Sequence, residues 1–147
     1  MVNSSATLLK NLIDSQPPFS KLMGMKIIEA SQNQVLAEMR VTQKFSNRNG
    51  VMHGGAIMAF ADNIGGTATF INLKVGLSTT TVESKTNFFR PIYIGEKIKA
   101  QCNFLKKGKK IVVLQTKILR SDNKIAAIVT QTQIILRFKK IDKNQAI

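Results

Sequence analysis

The chain has 147 residues, room for one domain with a single core and too few for two ordinary ones. Its 22 basic against 8 acidic residues give a net charge of +14, which attracts polyanions of any kind, yet the absence of Trp, the single Tyr93 and the lack of any recognisable DNA- or RNA-binding motif count against a nucleic-acid partner. One cysteine, Cys102, excludes an internal disulfide, and MVNSSATLLKNLIDSQ has neither the basic start nor the unbroken apolar run of a signal peptide, so the expected location is cytoplasmic.

Residues 6–15 read as a short amphipathic helix with Leu8, Leu9, Leu12 and Ile13 as its apolar side, stopped by Pro17-Pro18 and packed on the outside of the domain. An apolar segment, Met25 to Ile28, follows. Val35 to Val41 then alternates with period two, placing Val35, Ala37, Met39 and Val41 on one face and Leu36, Glu38 and Arg40 on the other, which predicts a half-buried strand. A polar loop, Thr42 to Met52, carries SNRNG and leads into a central helix predicted over about 54–72. That helix is apolar or small on nearly every face, a pattern that calls for burial on all sides. Asp62, Asn63 and Gly65-Gly66 interrupt it, which argues against a transmembrane span.

After Gly76 the pattern is mostly strand. Ile98, Ala100, Cys102 and Phe104 alternate with polar residues, Val112, Leu114, Thr116 and Ile118 alternate with Val113, Gln115 and Lys117, and Ile125 to Leu136 forms the last strand. The turns between them are KKGKK (106–110) and SDNK (121–124), and a basic tail begins at about 138. Two strands, one apolar helix and four more strands have a direct packing solution: an α+β domain, spanning 1–147, in which an antiparallel sheet wraps around the long central helix. The small residues Ala61, Gly65, Gly66 and Ala68 allow strands or a partner helix to approach closely, and free sheet edges invite a second copy.

Asp62 stands out against this background, because moving an ionised carboxylate out of water costs several kcal/mol unless it is paired or hydrogen-bonded. Either it does a job, or it lies with Asn63 on a wet edge of the helix. The residues around it narrow the choice: Asn47 and Gly50, then His53-Gly54-Gly55, then the acid nine positions after His53, with FFRP (88–91) downstream. This order resembles the signature of the hotdog-fold acyl-CoA thioesterases, the PaaI-like group of the 4-hydroxybenzoyl-CoA thioesterase superfamily. The likeness continues through 79–98 and 108–136 and covers about two-thirds of the chain.

The resemblance implies hydrolysis of an acyl- or aryl-CoA to the acid and CoA. Such a reaction needs an activated water or a nucleophile, and dipoles aimed at the developing oxyanion. Asp62 would be general base or direct nucleophile, and the N–H of Gly54, at a helix N-terminus, the oxyanion donor. By the same likeness, Asn47 matches the amide that orients the thioester carbonyl and Thr81 the hydroxyl that positions water, where the family often has Ser. His53 is expected in a supporting role, as a cap or neighbour contact rather than a proton carrier.

Met52, Ile57, Met58 and Phe60 are candidates for the acyl pocket, and Arg90 with the cluster Lys106, Lys107 and Lys109 for the CoA phosphates. With one His and one Cys, no metal site is expected, and no cofactor beyond the CoA of the substrate itself. The expected assembly is a homodimer, extended to a dimer of dimers (a homotetramer). The alternatives are a hotdog hydratase or dehydratase from the same fold and, from a different class, a non-catalytic acyl-CoA-binding module or a basic nucleic-acid binder.

Overall fold

The structure is a computed structural model that describes residues 3–137; the basic tail expected from about 138 lies outside the described residues. Two helices, α1 (Asn3–Asp14) and α2 (Pro18–Leu22), precede two strands, β1 (Lys26–Ala30) and β2 (Gln34–Arg40). A 3-10 turn, Gln43–Phe45, leads to the central helix α3 (Gly54–Phe70). Four strands follow: β3 (Leu77–Phe88), β4 (Lys97–Lys107), β5 (Ile111–Leu119) and β6 (Ile125–Arg137). Pro17-Pro18 does stop α1, but Pro18 also opens α2, since a proline at the first helical position sacrifices only an N–H that has no helical partner anyway. That short helix was not expected.

The six strands form one antiparallel sheet in the order β1-β2-β4-β5-β6-β3. Helix α3 packs against β2, β3, β4, β5 and β6. The predicted alternation is what seats it: Val35, Ala37 and Met39 of β2, Ile98, Ala100 and Cys102 of β4, and Val112, Leu114 and Ile118 of β5 are all buried. Each fully buried aliphatic or aromatic side chain, Phe60 of α3 among them, stabilises the fold by about 1.5–3 kcal/mol relative to exposure.

One expectation needs correction. Helix α3 is not covered on all sides in the single chain: its buried residues, Ile57, Phe60, Ala61, Ile64, Gly65, Ala68 and Thr69, form one stripe at helical spacing. Met58, Asp62 and Gly66, four apart on the opposite side, are only half-buried. Helix α1 packs on edge strand β1 and buries Leu12, which, with Ser15 just beyond the helix, lines a cleft that reaches Asp62. Among the described residues no helix is long and apolar enough to cross a membrane.

Candidate active site

The start of α3 is fixed by its own sequence. His53 is the N-cap, and its Nδ1 accepts from the Gly55 N–H at 2.9 Å, which satisfies one of the donors that a helix start leaves without a partner. A neutral ring therefore carries its proton on the exposed Nε2. The Gly54 N–H has no partner among the described residues and remains available as a donor. Just upstream, Asn47 Oδ1 accepts from the N–H groups of Asn49 at 2.9 Å and Val51 at 3.4 Å. Gly50, at a φ of 74° that suits glycine, closes this turn. With its oxygen so engaged, the Asn47 amide nitrogen has no hydrogen-bond partner among the described residues.

Asn47 and Gly54 line one cleft, of about 350 Å³, together with Met52, Ile57, Phe88, Phe89, Arg90, Pro91 and Ile92. Arg90 Nη1 donates to the Ile125 carbonyl at 2.6 Å, which anchors the side chain at this rim. The adjoining turn is held by Glu96, whose carboxylate accepts from the Tyr93 N–H at 2.8 Å and the Ser121 hydroxyl at 3.0 Å. Burial alone would raise that carboxyl, but the donors from Tyr93 and Ser121 and the charge of Arg120 outweigh it and hold its pKa below the usual value.

Asp62 opens into a different cleft, of about 470 Å³, bounded by α1, α2, β1, α3 and β3. Its apolar wall is Leu12, Met25, Ile27, Ile64 and Phe70, and its polar wall includes Thr79, Thr81 and Gln133. One carboxylate oxygen, Oδ1, accepts from both Thr81 Oγ1 and Gln131 Nε2, each at 2.7 Å. The other oxygen, Oδ2, has no hydrogen-bond partner among the described residues. Behind this pair, Gln133 Nε2 donates to Thr81 Oγ1 at 2.8 Å, and Thr79 Oγ1 donates to Gln133 Oε1 at 2.9 Å. Because Gln133 donates into the Thr81 oxygen, the one hydroxyl proton of Thr81 is directed at Asp62.

The expected site residues thus fall into two groups. Asp62 and Thr81 meet directly; Asn47, Gly54, Met52, Ile57 and Arg90 meet in the other cleft, beside the His53 cap; the two clefts share no lining residue. Met58 lines neither cleft, and Phe60 is wholly buried in the core. Lys106, Lys107 and Lys109 lie at the β4–β5 hairpin, where Lys107 Nζ already donates to the Gln32 carbonyl and, at 3.1 Å, to Asn33 Oδ1. Arg90 is bonded near the start of β6, at the opposite end of β5 from that hairpin, about 27 Å away along a nine-residue strand. One chain therefore does not join Arg90 and the lysine cluster into a single phosphate site.

Gln131 and Gln133 were not anticipated. Both are buried, at 0% and 1% exposure, and continue the inward positions of Ala127 and Val129 along β6, which is the signal that could have revealed them. Cys102 offers no competing nucleophile, since burial pushes its thiol up to about 11, Thr116 countering only in part. Among the described residues no three or more His, Cys, Asp or Glu side chains gather as a metal site.

Comparison with known proteins bears on the family and the fold. A family model described as Thioesterase superfamily matches residues 49–127. A protein of Saccharolobus solfataricus, provisionally named an esterase, is 30% identical over 119 residues, which cover 81% of this chain and 84% of its own. Human acyl-coenzyme A thioesterase 13 is 28% identical over 92 residues, 62% of this chain and 65% of its own. The crystal structure of a Haemophilus influenzae thioesterase superposes with a TM-score of 0.82 at 25% identity, covering 90% of this chain and 93% of that one. The PaaI protein of the E. coli phenylacetic acid degradation operon gives 0.80 at 22% identity, over 91% and 94% of the two chains, a likeness of fold. The sheet wrapped on a central helix is the hotdog arrangement expected from the sequence.

Proposed function

The chain belongs to the thioesterase superfamily and is a thioester hydrolase, and from that premise we propose that it cleaves an acyl- or aryl-CoA to the free acid and CoA. The observation that carries this reading is the Asp62 carboxylate itself: mounted on an apolar helix, held through one oxygen by two donors at 2.7 Å, and standing in the wall of a 470 Å³ cleft large enough for an acyl group. As general base, Asp62 removes a proton from water as the water oxygen attacks the thioester carbon. As nucleophile, it attacks that carbon directly and forms an anhydride that water then opens. In both routes the carbonyl oxygen gains negative charge next to the Gly54 N–H, with the Asn47 amide orienting it, and the CoA thiolate leaves.

Two copies complete the site in this reading. Gly54 and Asp62 are eight residues apart on one helix, about 12 Å at 1.5 Å per residue, too far for one carbonyl to touch both. A two-fold axis that sets two α3 helices antiparallel brings Asn47 and Gly54 of one chain to Asp62 and Thr81 of the other. The half-buried face of α3 and the edge strand β3, which among the described residues pairs with β6 alone, support such a dimer. Arg90, at the rim beside Gly54, is then the first candidate for a CoA phosphate.

The test is release of free thiol from a panel of short, long and aromatic acyl-CoAs. Turnover of one class identifies the acyl group. Saturable binding without thiol release from any of them replaces the enzyme with an acyl-CoA-binding module.

A further inference from the structure

We propose that Gln131 and Gly65 form a positioning pair for the Asp62 carboxylate, a role that rests on Asp62 being the reacting group. Gln131 is wholly buried on β6, and its Nε2 donates to Asp62 Oδ1 at 2.7 Å. Its other amide atom, Oε1, is buried with no hydrogen-bond partner among the described residues. An unsatisfied buried acceptor costs about 1–3 kcal/mol, which a Leu or Met of similar volume would avoid. Packing therefore does not account for an amide here, whereas its bond to the carboxylate does.

Gly65 is what gives that amide its place. It lies three residues after Asp62 on α3, and a Cβ added there would stand 2.0 Å from Gln131 Oε1 and 2.9 Å from its Cδ. The clashing atoms are the far end of a flexible side chain, so the backbone need not yield and the amide would swing away from Asp62. Glycine in mid-helix costs about 1 kcal/mol relative to alanine, and this position is buried in the helix rather than at a turn. With Gln131 on one side and Thr81 on the other, Oδ1 is saturated and fixed, and Oδ2 is left as the oxygen that meets water or the thioester carbon. Gln131 touches no substrate in this scheme; it acts through Asp62.

The experiment is a double-mutant cycle on kcat and KM with whichever acyl-CoA wild type turns over, using Gly65→Ala, Gln131→Met and both together, with Asp62→Ala alongside. Each single change is expected to lower kcat by about ten- to a hundredfold with KM within about twofold, because misplacement of a reacting group acts on the chemical step. The double variant is expected to be no slower than Gln131→Met alone, since Gly65 works only through the amide. Wild-type kcat in Gln131→Met, or losses that multiply in the double variant, overturns the pair. If Asp62→Ala keeps its turnover, it is the catalytic reading that fails instead. A measurement independent of turnover follows the Gln131 side-chain NH₂ resonances by NMR: they move in Gly65→Ala if the amide is displaced, and unmoved resonances overturn the proposal whatever the kinetics.

Discussion

Thr81 donates its hydroxyl proton to Asp62 Oδ1 across 2.7 Å, and Gln133, donating to the same Thr81 oxygen at 2.8 Å, keeps that proton pointed there. The family likeness makes this hydroxyl the one that positions the attacking water, and in the structure its proton is engaged by the carboxylate. Thr81→Val keeps the side-chain shape and removes the donor, leaving both Asp62 and the Gln133 amide one partner short. Steady-state kinetics should show kcat lowered about tenfold or more with KM little changed, and Thr81→Ser within about threefold of wild type. Full activity in the valine variant would take Thr81 out of the site.

Removal of the carboxylate is the more severe change. Asp62→Ala is expected to lower kcat by about a hundredfold or more, as loss of a general base or nucleophile does. The circular dichroism and thermal transition should persist, since Asp62 is half-buried and outside the apolar stripe of α3. Near wild-type turnover in a folded Asp62→Ala protein ends the assignment.

Much of the fold was legible because half-buried strands advertise themselves: the four residues of one parity from Val35 to Val41 are all buried, as period two requires. Edge strand β3 advertised little, since its inward positions carry Thr79 and Thr81, whose hydroxyls serve Gln133 and Asp62 rather than a hydrophobic core. The same chemistry hid Gln131 and Gln133, which look like solvent-facing residues unless their parity is carried on from Ala127 and Val129. In the site, the HGG run marked the helix start correctly because capping is local. The separation of Gly54 from Asp62 follows from eight residues of helix at about 1.5 Å each, whereas the lining of the two clefts depends on how a 17-residue helix is set against the sheet, which no local pattern states.

The cap offers a stability test. His53→Ala removes the acceptor of the Gly55 N–H, and loss of an N-cap costs about 0.5–2 kcal/mol, to be read from the urea midpoint. His53→Asn, whose short side chain can accept the same N–H, should recover most of it. Because the Gly54 donor sits in the turn that frays, kcat should fall several-fold in His53→Ala and recover in His53→Asn. An unchanged midpoint in the alanine variant shows that the cap does not hold the helix start.

Charge pairing with CoA at an exposed rim is screened by salt, so KM for the acyl-CoA should rise with ionic strength. Arg90→Ala should raise KM at low salt and blunt that rise. Lys106→Ala and Lys109→Ala, at the far end of β5, separate the two candidate phosphate sites: whichever set flattens the salt dependence is the one that meets the nucleotide. Equal salt sensitivity with a short thioester lacking the nucleotide removes both.

The proposed shared site has the sharpest of these tests; it is motivated by the roughly 12 Å of helix between Gly54 and Asp62 and by their opening into different clefts. Asn47 lies with Gly54, so Asn47→Ala and Asp62→Ala damage opposite halves. Each variant alone should be nearly inactive. Unfolded together in equal amounts and refolded as a mixture, they pair at random, and half of the dimers contain one chain of each kind. In such a heterodimer one site receives both lesions and the other receives neither, so the mixture should recover about a quarter of wild-type activity. Were Asn47 and Asp62 to serve a site within one chain, every site would keep a lesion and the refolded mixture would stay as inactive as its parents.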